Sequence, residues 1–206
     1  MPMALTCAMA VWLVFLTLAP GAQGQVRWDS PMFTPPVNPV GWGVYLVDPS
    51  PGRGIGILAT WRGREGPGSM GLRVGLAEDR TEDLSLFGGV DLSGSLHRAS
   101  EEFPLDLVWV AGAGLGIGRY GLLSFPLGVS LGRHFDAEGV WFNPYLTPRV
   151  VLDAWLGQHR RRNDLDLSVA LDLGIDFGVA PGWALRFGAT LGERSSIGLG
   201  VSFRTR

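Results

Sequence analysis

The chain has 206 residues, enough for one domain with a short appendage. Its 17 basic residues are all arginine and stand against 19 acidic ones, a formal charge of −2. That balance excludes a nucleic-acid binder, which needs a basic stripe to neutralise phosphates. With 31 Gly and 14 Pro, long helices are disfavoured and short strands joined by tight turns are favoured.

Residues 1–24 read as a secretory signal. The apolar run AMAVWLVFLTL at 8–18 is too short to cross a bilayer as a helix, and Ala22 and Gly24 are small residues placed for a processing peptidase. Cleavage is expected after Gly24, leaving Gln25 at the new terminus. Cys7 is the only cysteine and falls within the signal. The mature chain is therefore expected to hold no disulfide and no cysteine-ligated metal. Residues 25–41 are Pro-rich and lack periodicity, which reads as a solvated periplasmic leader.

From Trp42 onward, apolar and small or polar residues alternate in short runs. The runs cover residues 42–47, 54–62, 70–77, 83–96, 105–118, 123–133, 140–156, 164–179, 182–192 and 196–204. Period-2 alternation marks two-faced strands. Segments such as GREGPGS, EDRTED, FDAEG, HRRRND, APG and GERSS separate them and carry turn chemistry. Connections this short favour antiparallel neighbours. The fold expected is all-β, an up-and-down antiparallel barrel of about ten strands over 42–206, or eight if two short segments do not pair.

Three features turn the apolar face outward. The opposite face is small, mostly Gly, Ser, Ala and Asp, which suits a narrow concave interior. The apolar face carries so many Leu, Val, Phe and Trp that a small interior would be overfilled. Aromatic residues sit toward strand ends, at Trp61, Trp141, Tyr145, Trp155, Trp183 and Phe203, where a transmembrane barrel places its girdles.

On this pattern, residues 42–203 resemble the outer-membrane β-barrel superfamily of Gram-negative bacteria. SIGLGVSF (Ser196–Phe203) looks like that superfamily's C-terminal assembly signal, with alternate apolar residues and a terminal aromatic, though Arg204-Thr205-Arg206 follows it. The resemblance implies residence in the outer membrane, contact with its lipids and lipopolysaccharide, and recognition by the barrel assembly machinery through Ser196–Phe203. It implies a structural barrel or a narrow porin-like channel. A membrane-embedded lipid-modifying hydrolase and a soluble periplasmic barrel with an apolar ligand are the alternatives.

The charges expected inside form one set. Asp166, Asp172 and Asp176 line one strand, Arg186 lies on the next, and Arg149 and Asp153 lie on the previous one. Arg–Asp pairs across adjacent strands should fill the lumen and fix its register, or line a charged pore. A single metal site on the Asp stripe is excluded by spacing: residues two apart on a strand sit about 7 Å apart, beyond one ion's shell. No cofactor is expected. His97, His134 and His159 fall at strand ends or in loops and form no triad with a nucleophile. Arg160-Arg161-Arg162 is assigned to a loop on the extracellular side, able to meet lipopolysaccharide phosphates. By this orientation Leu171→Arg should be costly and Asp172→Ser mild.

Overall fold

The computed structural model describes residues 26–37, 39–49, 54–65, 68–78, 84–118, 121–137, 139–156 and 165–204. The expected signal, its cleavage site, Cys7, His159 and Arg160-Arg161-Arg162 lie outside these residues.

Every regular element described is a strand. They are β1 (Gly41–Asp48), β2 (Gly56–Glu65), β3 (Gly68–Glu78), β4 (Leu84–His97), β5 (Asp106–Ile117), β6 (Gly121–Gly132), β7 (Phe135–Ala137), β8 (Val140–Leu156), β9 (Leu165–Ala180), β10 (Trp183–Gly192) and β11 (Ser196–Phe203). The sheet runs β6-β5-β4-β3-β2-β1-β11-β10-β9-β8-β7, and β6 also pairs with β8. That last pairing closes the ring, with Gly121 opposite Leu156 and Gly132 opposite Tyr145. Every ladder in it is antiparallel, as the short turns require. Apart from β7, the ring is the ten-stranded up-and-down barrel expected from the alternation.

β7 is the one departure in strand count. The sequence reading assigned FDAEG to a turn, but Phe135–Ala137 pairs with the start of β8. Phe135 stacks on Phe142 with ring centroids 4.9 Å apart. The tight hairpin lets the two rings meet on one face, and this extends β8 past the barrel proper.

The ring has two distinguishable ends. β1 begins and β11 finishes at one, called here the termini end; β1, β3, β5, β8 and β10 finish at the other, the far end. Burial alternates most clearly along β1, β3, β8 and β10, as in the BeBeBeBi pattern of β1. The exposed side is the apolar one. Leu46 is 62 % exposed, Ile57 57 %, Leu127 58 % and Leu167 69 %. The inward side of β9 holds buried Ser168, Ala170, Asp172 and Asp176, while Leu167, Val169, Leu173 and Phe177 point out. The barrel is therefore apolar outside and charged within.

The aromatic pattern holds at one end only. Trp61, Trp42, Phe203 and Trp183 are register partners across four consecutive strands, so they form one outward row at the termini end. Trp183 and Phe203 lie 5.2 Å apart. The expectation that Trp141, Tyr145 and Trp155 join such a girdle is corrected. They share the inward parity of β8, and Tyr145 and Trp155 are buried.

Candidate functional site

The inward faces do not enclose an open space. The leader lies inside the barrel, with Val26, Trp28–Pro35 and all but Arg27 in between buried. This corrects the reading of 25–41 as a solvated linker. Lack of periodicity marked the segment as neither helix nor strand, and gave no information on where it lies.

Glycines of the strand walls make room for it. Side chains at Gly89 and Gly114 would run into the Trp28 indole, and a Cβ at Gly112 would come within 2.8 Å of it. A Cβ at Gly188 or Gly198 would fall 2.6 or 2.7 Å from the Phe33 ring. Phe33 stacks on Tyr45 at 4.4 Å. The alternating glycines of β5 thus form half of a tryptophan socket. The Trp28 Nε1–H donates to the Ser124 carbonyl at 3.1 Å, and the Arg73 guanidinium lies 5.4 Å above the ring, a cation–π contact.

Polar contacts fix the leader's direction. Near the termini end, Asn143 Nδ2 donates to the Val37 carbonyl at 3.3 Å. Midway, Arg73 donates to the Pro31 carbonyl at 3.2 Å. At the far end, Arg27 Nη1 donates to the carbonyl of Glu193, in the β10–β11 turn, at 2.6 Å. The chain from Val26 to Val37 therefore runs the length of the lumen.

Asp29 is the hub of the charge network. One of its carboxylate oxygens pairs with Arg149, and the other accepts from Arg194 Nη2 at 2.6 Å. Arg149 also reaches Asp172, through Nε at 2.6 Å and Nη2 at 3.2 Å. Thr190 donates to the same Asp172 at 2.5 Å. Arg194 pairs with Asp153 as well, and Ser124 donates its hydroxyl to that carboxylate at 2.5 Å. Toward the termini end, Arg186 pairs with Asp176 at 2.8 Å, while Asp91 pairs with Arg62 and lies 3.5 Å from Arg73. Among the described residues, five arginines (Arg62, Arg73, Arg149, Arg186, Arg194) and five aspartates (Asp29, Asp91, Asp153, Asp172, Asp176) are buried. Equal numbers matter, because each unpaired buried charge would cost several kcal/mol.

The structure brings together Arg149, Asp153, Asp172, Asp176 and Arg186 of the set expected from sequence. Asp166 stands opposite Asp153 in the β8–β9 register, yet it is exposed at the far rim. The sequence does not point to Asp29, because a leader without periodicity reads as solvated, nor to Arg194, because a turn residue carries no facing. The expected set also leaves out Arg62, Arg73 and Asp91. The alternation placed them on the inward face, and that signal was available: Arg73 falls between Leu72 and Val74.

A cavity beside Arg62, Arg73, Arg186 and Asp91 measures about 20 Å³, room for about one water. His97 and His134 stand apart from the charge network. His134 Nδ1 lies 2.6 Å from the Asn143 side-chain oxygen, and His97 packs edge-on against Phe103 at 5.3 Å.

No family model and no curated protein matches this chain.

Proposed function

We propose that this chain is an integral outer-membrane β-barrel protein with a structural role, its lumen sealed by its own leader. The observation that carries the reading is the outward face. It is apolar around the ring, with Leu, Val, Ile, Phe and Trp side chains exposed on every long strand. A soluble monomer rarely leaves more than a few hundred Å² of contiguous apolar surface in water; lipid accepts such a band. Closure of the ten-stranded ring leaves no free edge within it, and the three-residue β7 lies outside that ring. The outward aromatic row of Trp61, Trp42, Phe203 and Trp183 suits an interface. Lipids and lipopolysaccharide are then its surroundings, and β11 is its contact with the assembly machinery.

The filled lumen favours the structural role over a porin-like one. Trp28, Phe33 and the Asp29 network lie across the way of a free solute. We assign no catalytic role. Envelope fractionation should recover the protein with the outer membrane, with a heat-modifiable shift on gels. Planar bilayers containing it should give no stable conductance steps. Recovery as a soluble periplasmic protein would overturn the membrane reading, and steady channel steps would overturn the sealed lumen.

A further inference from the structure

We infer that the cavity beside Arg62, Arg73 and Arg186 is a binding site for one halide-sized anion, chloride in most media, and that the anion helps to fasten the leader to the barrel wall. The site lies wholly within the wall and the leader, and it holds whether or not the barrel stands in a membrane.

The register sets the donors. Ser202, Gly43, Thr60 and Arg73 are successive partners across β11, β1, β2 and β3, and all four share the inward parity of their strands. Gly43 leaves a gap in that row, and a side chain there would run into the Tyr45 hydroxyl. Tyr45, Thr60 and Ser202 line the cavity together with the three arginines. Each of the three hydroxyls can turn a proton toward an anion. Among the described residues, Arg73 Nε and the Ser202 hydroxyl are buried and have no hydrogen-bond partner, a costly condition for buried donors.

Charge selects the ligand. Arginine and aspartate balance over the whole lumen but not along it. Toward the termini end, Arg62, Arg73 and Arg186 face Asp91 and Asp176, which leaves a surplus of one positive charge. Toward the far end, Asp29, Asp153 and Asp172 face Arg149 and Arg194, and half-buried Arg27 brings a third cation to that rim. Asp91 is the one carboxylate among the residues lining the cavity. Both its oxygens are engaged, one by Arg62 and the other by Arg73 at 3.5 Å. A buried cation with so distant a counter-ion is costly, and a monovalent anion beside it makes up the deficit. The volume of about 20 Å³ suits a monatomic ion little larger than one water and shuts out sulfate or phosphate.

The same guanidinium holds the leader. Arg73 donates to the Pro31 carbonyl at 3.2 Å and lies over the Trp28 indole, while Phe33 lines the cavity itself. An anion that fixes Arg73 therefore fixes the leader with it. Pro39 and Gly41 also line the cavity, which sets it close to the rim where β1 begins.

Urea unfolding of the full chain in detergent micelles tests the site, with chloride varied and gluconate, too large for the cavity, holding ionic strength constant. Above the dissociation constant, each ten-fold rise in chloride should raise the folded-to-unfolded ratio about ten-fold. Ser202→Ala keeps every charge and should weaken chloride binding about ten-fold. Arg73→Gln should abolish the chloride dependence, whereas Arg98→Gln, exposed beyond β4, should keep it. Crystals of the parent protein grown in bromide should show an anomalous peak inside the cavity, beside the Arg73 guanidinium. If Arg73→Gln does not fold, Ser202→Ala and the bromide peak still decide. Equal midpoints in chloride and gluconate, an unchanged chloride dependence in Ser202→Ala, or a cavity that holds water only in the bromide crystals would overturn the inference.

Discussion

Asp29→Asn removes one negative charge and almost no volume from the centre of the lumen. Its carboxylate accepts charge-assisted bonds from two guanidinium groups, Arg149 and Arg194. Bonds to charged groups contribute about 1.5–3 kcal/mol each, and breaking a buried pair costs about 3–5 kcal/mol through the cation left behind. Two cations are affected here, but each keeps a second carboxylate, Asp172 for Arg149 and Asp153 for Arg194. The loss should therefore be about 3–5 kcal/mol rather than twice that. The measurement is reversible urea unfolding of the barrel in lipid vesicles, followed by tryptophan fluorescence. Asp166→Asn at the exposed rim is the control, and should stay within about 0.5 kcal/mol of the parent. If Asp29→Asn were as mild as that control, the leader would not occupy the lumen and the network described above would be wrong.

Leu171→Arg puts a cation on the outward face in the middle of β9, and should cost about 2–4 kcal/mol at mid-bilayer. Asp172→Ser, expected from sequence to be mild, should instead cost about 3–5 kcal/mol. It strips Arg149 of two bonds and Thr190 of one, so near-equal unfolding midpoints for the two variants are expected. Trp28→Ala should lower stability by about 3–5 kcal/mol by emptying the socket. Gly114→Val alone should cost about 1–3 kcal/mol by overpacking against that indole. In the double variant the costs should fall well short of their sum, because the new side chain occupies the space the indole left; strict additivity in a double-mutant cycle would refute the socket.

The barrel was legible because its information is local. Alternation with period 2 survives in any strand with one face in each environment, so the ten long runs were found within a few residues of their ends. It even placed Arg149, Asp153, Asp172, Asp176 and Arg186 on the correct face. The lumen's contents were not legible, because they are set by contacts between segments distant in sequence. Residues 26–37 carry no repeat that says they cross an interior. Trp141, Tyr145 and Trp155 look the same by composition whether they face lipid or lumen; only the odd-numbered parity they share with Arg149 and Asp153 decided it. One clue did stand in the sequence. Glycines at every second position of residues 112–118 leave the inward wall bare, and a close-packed interior needs something large to cover it. Trp28 and its neighbours in the leader supply the missing volume.

The sequence separations in the Asp29 network have a consequence for biogenesis. Asp29 meets Arg149 across 120 residues and Arg194 across 165. The first of these partners arrives with β8, and the second only with the hairpin that completes the sheet. A chain that stalls before β10 would hold Asp29 half neutralised and Asp153 without Arg194. Charge balance in the interior is thus reached at the last step, and a prematurely ended barrel carries an electrostatic defect that a finished one does not. Quality control of the envelope could distinguish the two on that difference alone.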